Sequence, residues 1–178
     1  MNEVEPLSMP RMVVGLIAAA VVGCIVYSSL EAVSALLGEV IATLFFDFVW
    51  KDTQFWEMLG IYVSFGTPVA IVACLLIGLP VWMYADSMPL RSRRSSLKIG
   101  AGVGVAIGLL FLAFNIVMGV QTYLDDSASF NAWRFGYQVI RDGMPTAIGW
   151  LYKLQTLVFF TIAGGLAGLA ARRVALPR

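Results

Sequence analysis

The chain has 178 residues, of which 60% are hydrophobic and only 13% charged. That composition is too apolar for a soluble globule and indicates a membrane domain. The absence of histidine removes His-ligated haem, His-containing zinc sites and Ser-His or Cys-His nucleophile pairs, while the net charge of +1 conceals an uneven distribution.

Four apolar stretches, at 12–31, 60–84, 99–120 and 149–171, each hold roughly the 20 residues a helix needs to cross a hydrocarbon core of ~30 Å. No connection between them is long enough for a separate soluble domain, so 1–178 reads as one four-helix membrane domain. Arg11, Arg91, Arg93, Arg94, Lys98, Arg172, Arg173 and Arg178 fall in the N-terminus, second connection and C-terminus. Most acidic residues, including Glu39, Asp47, Asp52, Glu57, Asp125, Asp126 and Asp142, fall in the first and third connections. Short Lys/Arg-rich loops stay cytoplasmic, so both termini are expected inside. The chain has the general look of a small, multi-pass protein of the bacterial cytoplasmic (inner) membrane.

In the first stretch, Val21-Val22-Gly23-Cys24 fits the short pattern of a lipoprotein processing site. The segment before Arg11 is acidic, however, and the apolar run continues past Cys24 through Ile25, Val26 and Tyr27. A cleaved signal has an apolar core of roughly 7–15 residues, so this segment reads as a retained first helix. Cys24 and Cys74, both inside spans, read as small buried hydrophobes.

The apolar pattern then overruns the span. Val33, Leu36, Leu37, Val40, Ile41, Leu44, Phe45 and Phe48 recur at helical spacing, opposite Glu31, Glu39, Thr43, Asp47 and Lys51. A straight helix from Met12 to Trp50 would be about 58 Å long. Residues 33–50 are therefore expected either to project outward or, the reading preferred here, to bend near Gly38 and lie along the outer surface as an amphipathic helix. The aromatic cluster Phe45, Phe46, Phe48, Trp50, Phe55 and Trp56 suits that interfacial position. In the second span Gly66-Thr67-Pro68 predicts a bend, and Gly78-Leu79-Pro80 marks the inner end.

Arg91, Arg93, Arg94 and Lys98 form a juxtamembrane basic cluster, a topology determinant able to attract anionic lipid head groups. The third span opens with Gly100, Gly104 and Gly108 on one helix face, and the fourth repeats the device with Gly164/Gly168 and Ala163/Ala167/Ala171. Small residues at this spacing let helix backbones approach closely, either span against span or between protomers. Asn115 is the one strongly polar side chain deep in a span and is expected to bond across helices. In the third connection, Asp125, Asp126 or Ser127 can cap a helix, Phe130, Trp133, Tyr137 and Ile140 recur at helical spacing, and Gly143 with Pro145 supplies a stop. Residues 127–142 are accordingly expected to form a second outer amphipathic helix.

The expected fold is thus an all-α integral membrane protein with four transmembrane helices, both termini inside, and two amphipathic interfacial helices outside. Three functions compete. The preferred one is a non-enzymatic accessory, scaffold or sensor subunit that assembles with itself or a membrane partner through its small-residue faces. The second is a small oligomeric cation channel or transporter with Glu31, Glu39 and Asp47 lining a vestibule. The third is a lipid-acting enzyme using Asp125 and Asp126, residues that as helix caps need no chemistry. The preferred reading involves no catalytic group, cofactor, metal or nucleic acid; its partners are the bilayer and other membrane-embedded chains.

Overall fold

The computed structural model describes residues 8–46, 53–86, 93–125, 129–134 and 136–175. Helix α1 spans Met9–Phe46, α2 Thr53–Ala73, α3 Leu79–Asp86, α4 Arg93–Leu124 and α5 Ala147–Ala175. A π-helical turn, Cys74–Gly78, joins α2 to α3. Four helical segments are long and apolar enough to cross a membrane: Met9–Ile41, Val63–Tyr84, Arg93–Leu124 and Ala147–Ala175. Their outward faces carry large side chains such as Ile25, Phe65, Leu76, Phe114 and Leu151. In water these would be a liability, whereas in hydrocarbon they are the solvated surface.

The Ser8 carbonyl accepts the first amide bonds of α1, from Arg11 N at 3.0 Å and Met12 N at 3.2 Å. Pro10 sits in the first turn, where its missing N–H removes no intrahelical bond. The helix then runs 38 residues, about 57 Å, and passes through Gly38 as unbroken helix. A single glycine costs a helix about 1 kcal/mol without ending it. Residues 33–46 are therefore helical and continuous with the span; 47–50, the remainder of the expected arm, lie outside the described residues. In the second span, Pro68 is accommodated inside α2. Helical structure continues through Gly78-Leu79-Pro80 to Asp86, rather than stopping there. Pro80 has no N–H to offer the Leu76 carbonyl, and the π turn directly ahead of it is the kind of local adjustment that accommodates such a loss.

Small side chains make the interior. Helix α5 is the hub, packing against α4 on one side and α1 on another, and α1 in turn packs against α2 and α3. A Cβ placed on Gly100 would strike the Gly164 carbonyl oxygen and come within 2.9 Å of the Gly168 Cα. One on Gly104 would strike the Phe160 carbonyl oxygen and lie 3.2 Å from the Gly164 Cα. These glycines thus meet one another inside a single chain. On its other face α5 offers Ala163, Ala167, Ala171 and Ala175, all buried, to Gly15, Ala19 and Gly23 of α1.

The third connection corrects the all-α expectation. Among the described residues, 129–134 and 136–142 form no amphipathic helix. Ala132–Arg134 (β1), Tyr137–Arg141 (β2) and Met144–Pro145 (β3) build a three-stranded antiparallel sheet in the order β1-β2-β3. Arg141 pairs with Met144, leaving Asp142-Gly143 as a two-residue loop. Their φ values of +48° and +81° have the sign a type I′ hairpin requires at both positions, for which Asp-Gly is a favoured dipeptide. Gly143, read from sequence as a helix stop, is instead the hairpin turn. The aromatic spacing that imitated a helix is also met by a strand-turn-strand, with Trp133 and Tyr137 exposed on it. Asn131 Oδ1 reinforces the sheet by accepting from Gln138 Nε2 at 3.0 Å and Asp142 N at 3.1 Å. Thr146 then caps α5, its Oγ1 accepting from Gly149 N at 3.1 Å and donating to the Gln138 carbonyl at 2.7 Å.

Candidate functional site

The four membrane-crossing segments do not close on themselves. They pack in the sequence α4–α5–α1–α2/α3, with no extended packing between α2–α3 and α4 among the described residues. The space this leaves is a cavity of about 460 Å³, lined by residues 16–28 of α1, 66–82 of α2–α3, 96–111 of α4 and 160–172 of α5. At about 1.5 Å per residue, the 16–28 stretch of α1 makes it roughly 18 Å long. Its small-residue walls are the consequence of the helix packing: glycines and alanines that bring α4 and α1 onto α5 leave no bulk to fill the centre.

The two ends differ chemically. One end, near the sheet, is crossed by rings: Tyr27 lies 4.6 Å from Phe160, and Phe160 lies 5.9 Å from Phe111, centroid to centroid. Ser28 lines this part, is 3% exposed, and its Oγ has no hydrogen-bond partner among the described residues. At the other, basic end stand Trp82, Ser96 and Arg172. The Arg172 Nε is buried and likewise unpartnered. A buried unsatisfied polar group costs about 1–3 kcal/mol, and more when charged. Both such atoms among the described residues line this one cavity.

Beyond the aromatic rings lies a belt of paired polar groups. Arg134 Nη2 donates to Glu31 Oε2 at 3.1 Å, and its guanidinium sits 4.7 Å above the Tyr152 ring. Tyr27 OH donates to the other Glu31 oxygen at 3.3 Å. Asn115 does bond across helices, accepting from Lys153 Nζ at 3.1 Å while donating to the Phe111 carbonyl. Gln155 donates to Ser34 between α5 and α1. The sheet is held on this belt by backbone contacts, because Cβ atoms on Gly119 and Gly149 would strike the Gly143 and Val139 carbonyl oxygens. The sheet thereby ties together α1, α4 and α5.

The residues singled out from sequence scatter over this frame. Gly100, Gly104, Gly108, Gly164 and Gly168 meet at the α4–α5 seam. Arg93, Arg94 and Lys98 are exposed on the first turns of α4, while Arg91 lies outside the described residues. Glu31 is held by Arg134 and Tyr27, Glu39 lies two turns further along α1, and Asp47 is outside the described residues, so no acidic vestibule is assembled among those that are described. Asp125 follows the end of α4; Asp126 is not described. No group of three or more Cys, Asp or Glu capable of holding a metal occurs among the described residues. Sequence reasoning missed Ser28 and treated Arg172 as a topology signal. A hydroxyl at the twentieth residue of α1, with Gly23, Cys24 and Tyr27 on its approach, gives no sign of facing a void until neighbouring helices are placed.

Compared with known proteins, the chain matches no family model, no curated protein and no solved structure.

Proposed function

We propose that this chain is a non-enzymatic integral membrane protein, an accessory or sensor subunit of the bacterial inner membrane, whose working part is the cavity, and that the cavity takes up the hydrocarbon chain of a membrane amphiphile. The observation that carries this reading is an apolar space of about 460 Å³ containing two unpartnered buried polar atoms. Its size falls in the range of roughly 300–1,000 Å³ typical of small-molecule sites. The space opens between α2–α3 and α4, so a hydrocarbon chain can enter it from the bilayer and contact walls that are otherwise unpacked. Because the glycine faces already serve the α4–α5 seam, assembly with a partner would use other surfaces. The Lys/Arg distribution supports an orientation with both termini and the basic end of the cavity cytoplasmic.

Native mass spectrometry of the full chain released from nanodiscs tests the proposal. Wild type is expected to retain an amphiphile adduct, and Val103→Phe, which places a ring in the cavity from α4, to lose it while remaining folded. A wild-type protein that is always adduct-free, together with a Val103→Phe variant of raised stability, would identify the space as a packing void.

A further inference from the structure

The cavity's polarity specifies more than a hydrocarbon chain, and the inference here rests on the cavity being an amphiphile site. Arg172 is half-buried, lines the cavity at its basic end, and has a buried Nε without a partner. No ion pair involves it among the described residues. The acidic residues whose side chains are described, Glu31, Glu39, Asp125 and Asp142, all belong to the sheet end. The basic end carries Arg93, Arg94, Lys98 and Arg173, all exposed, with Asp86 closing α3. The buried Arg172 Nε faces apolar walls without a partner, and an unpaired buried charge is strongly disfavoured. Its planar array of donors matches a carboxylate or phosphate in two-point contact.

We infer that the ligand is an anionic amphiphile, with its carboxylate or phosphate head on Arg172 and its single hydrocarbon chain lying along the small-residue walls toward the aromatic rings. The roughly 18 Å between the ends accepts a long extended chain. Trp82, on α3, lines the same cavity as Arg172, and its ring would lie 3.0 Å from a Cβ on Gly15 of α1. The surrounding exposed arginines and Lys98 raise the local concentration of anionic heads, and Arg172 selects among them.

The experiment uses the full chain in phosphatidylcholine nanodiscs and three probes sharing one chain: oleate, oleoyl lysophosphatidic acid and oleyl alcohol. Binding is read by native mass spectrometry. A stearate carrying a spin label near either its head or its methyl end is read by tryptophan quenching, taking the part lost in Trp82→Phe. Wild type is expected to prefer the acids over the alcohol by about tenfold to a hundredfold, and the head-proximal label to quench Trp82 more than the distal one. Arg172→Gln is expected to abolish the preference while leaving alcohol binding unchanged, and Arg172→Lys to restore part of it. The ratio of oleate to lysophosphatidic acid separates a carboxylate from a phosphate head. Equal binding of acids and alcohol, or Arg172→Gln weakening all three alike, overturns the head assignment but leaves the cavity an amphiphile site. Binding of none of the three overturns both.

Discussion

Two glycines on the same helix should respond to the same substitution with opposite sign. Gly102 and Gly104 are both in α4. A Cβ on Gly102 meets nothing within 4 Å, whereas one on Gly104 runs into the Phe160 carbonyl oxygen and lies 3.0 Å from the Phe160 carbonyl carbon and 3.2 Å from the Gly164 Cα. Those obstacles are backbone, so no rotamer change relieves them and the α4–α5 seam must spread. Overpacking of this kind costs about 1–3 kcal/mol, against which alanine recovers up to about 1 kcal/mol of helix propensity. Gly104→Ala is therefore expected to lose about 1–2 kcal/mol and Gly102→Ala to gain up to about 1 kcal/mol. Gly108→Ala should fall between them, because its nearest obstacle is the end of the flexible Leu157 side chain at 2.8 Å. Thermal unfolding in detergent, followed with a thiol-reactive fluorogenic dye, reads the order directly, since Cys24 and Cys74 are half-buried thiols outside any disulfide. Equal midpoints for Gly102→Ala and Gly104→Ala would refute the close α4–α5 seam.

Three further outcomes follow from local geometry. A double-mutant cycle on Glu31→Gln and Arg134→Gln should give a coupling of about 1–2 kcal/mol, above that of an exposed pair, because the partners' side chains are only 13% and 30% exposed; a coupling near zero by unfolding in detergent would remove the sheet's tie to α1. Gly143→Ala should destabilise more than Gly136→Ala. Both have φ near +80°, costing about 1–2 kcal/mol for a side chain, but only Gly143 also faces Gly119 O at 2.5 Å and Thr122 Cβ at 3.0 Å; hydrogen exchange of the β2–β3 amides would report equal effects if the sheet did not rest on α4. Ser28→Ala should raise the stability of protein emptied of amphiphile by about 1–3 kcal/mol, since it deletes an unsatisfied buried hydroxyl; a lowered melting temperature in the emptied protein would show that Ser28 has a partner.

Much of the molecule was legible because the membrane constrains sequence so strongly. A segment that crosses hydrocarbon must be about 20 apolar residues with its backbone bonds satisfied internally, and all four such segments can be read directly from the chain. The Gly100/Gly104/Gly108 and Gly164/Gly168 spacings likewise mark faces where backbones can meet, though spacing alone does not separate a seam within one chain from one between two. The Asp142-Gly143 dipeptide was a readable hairpin signal. The aromatic spacing around it masks that signal, because residues three and four apart also satisfy a helix and short segments leave the ambiguity open.

By itself, then, the sequence determined the solvent, the number of crossing helices, their charge asymmetry and which faces are thin enough to touch. The tertiary structure decided which thin faces are spent on each other, that the third connection folds as a sheet braced on three helices, and that a space remains between α2–α3 and α4. Local sequence encodes the polarity of each helix face, whereas a cavity is a property of several faces at once. Ser28 and Arg172 acquire meaning only when α1 and α5 turn them toward the same unfilled volume.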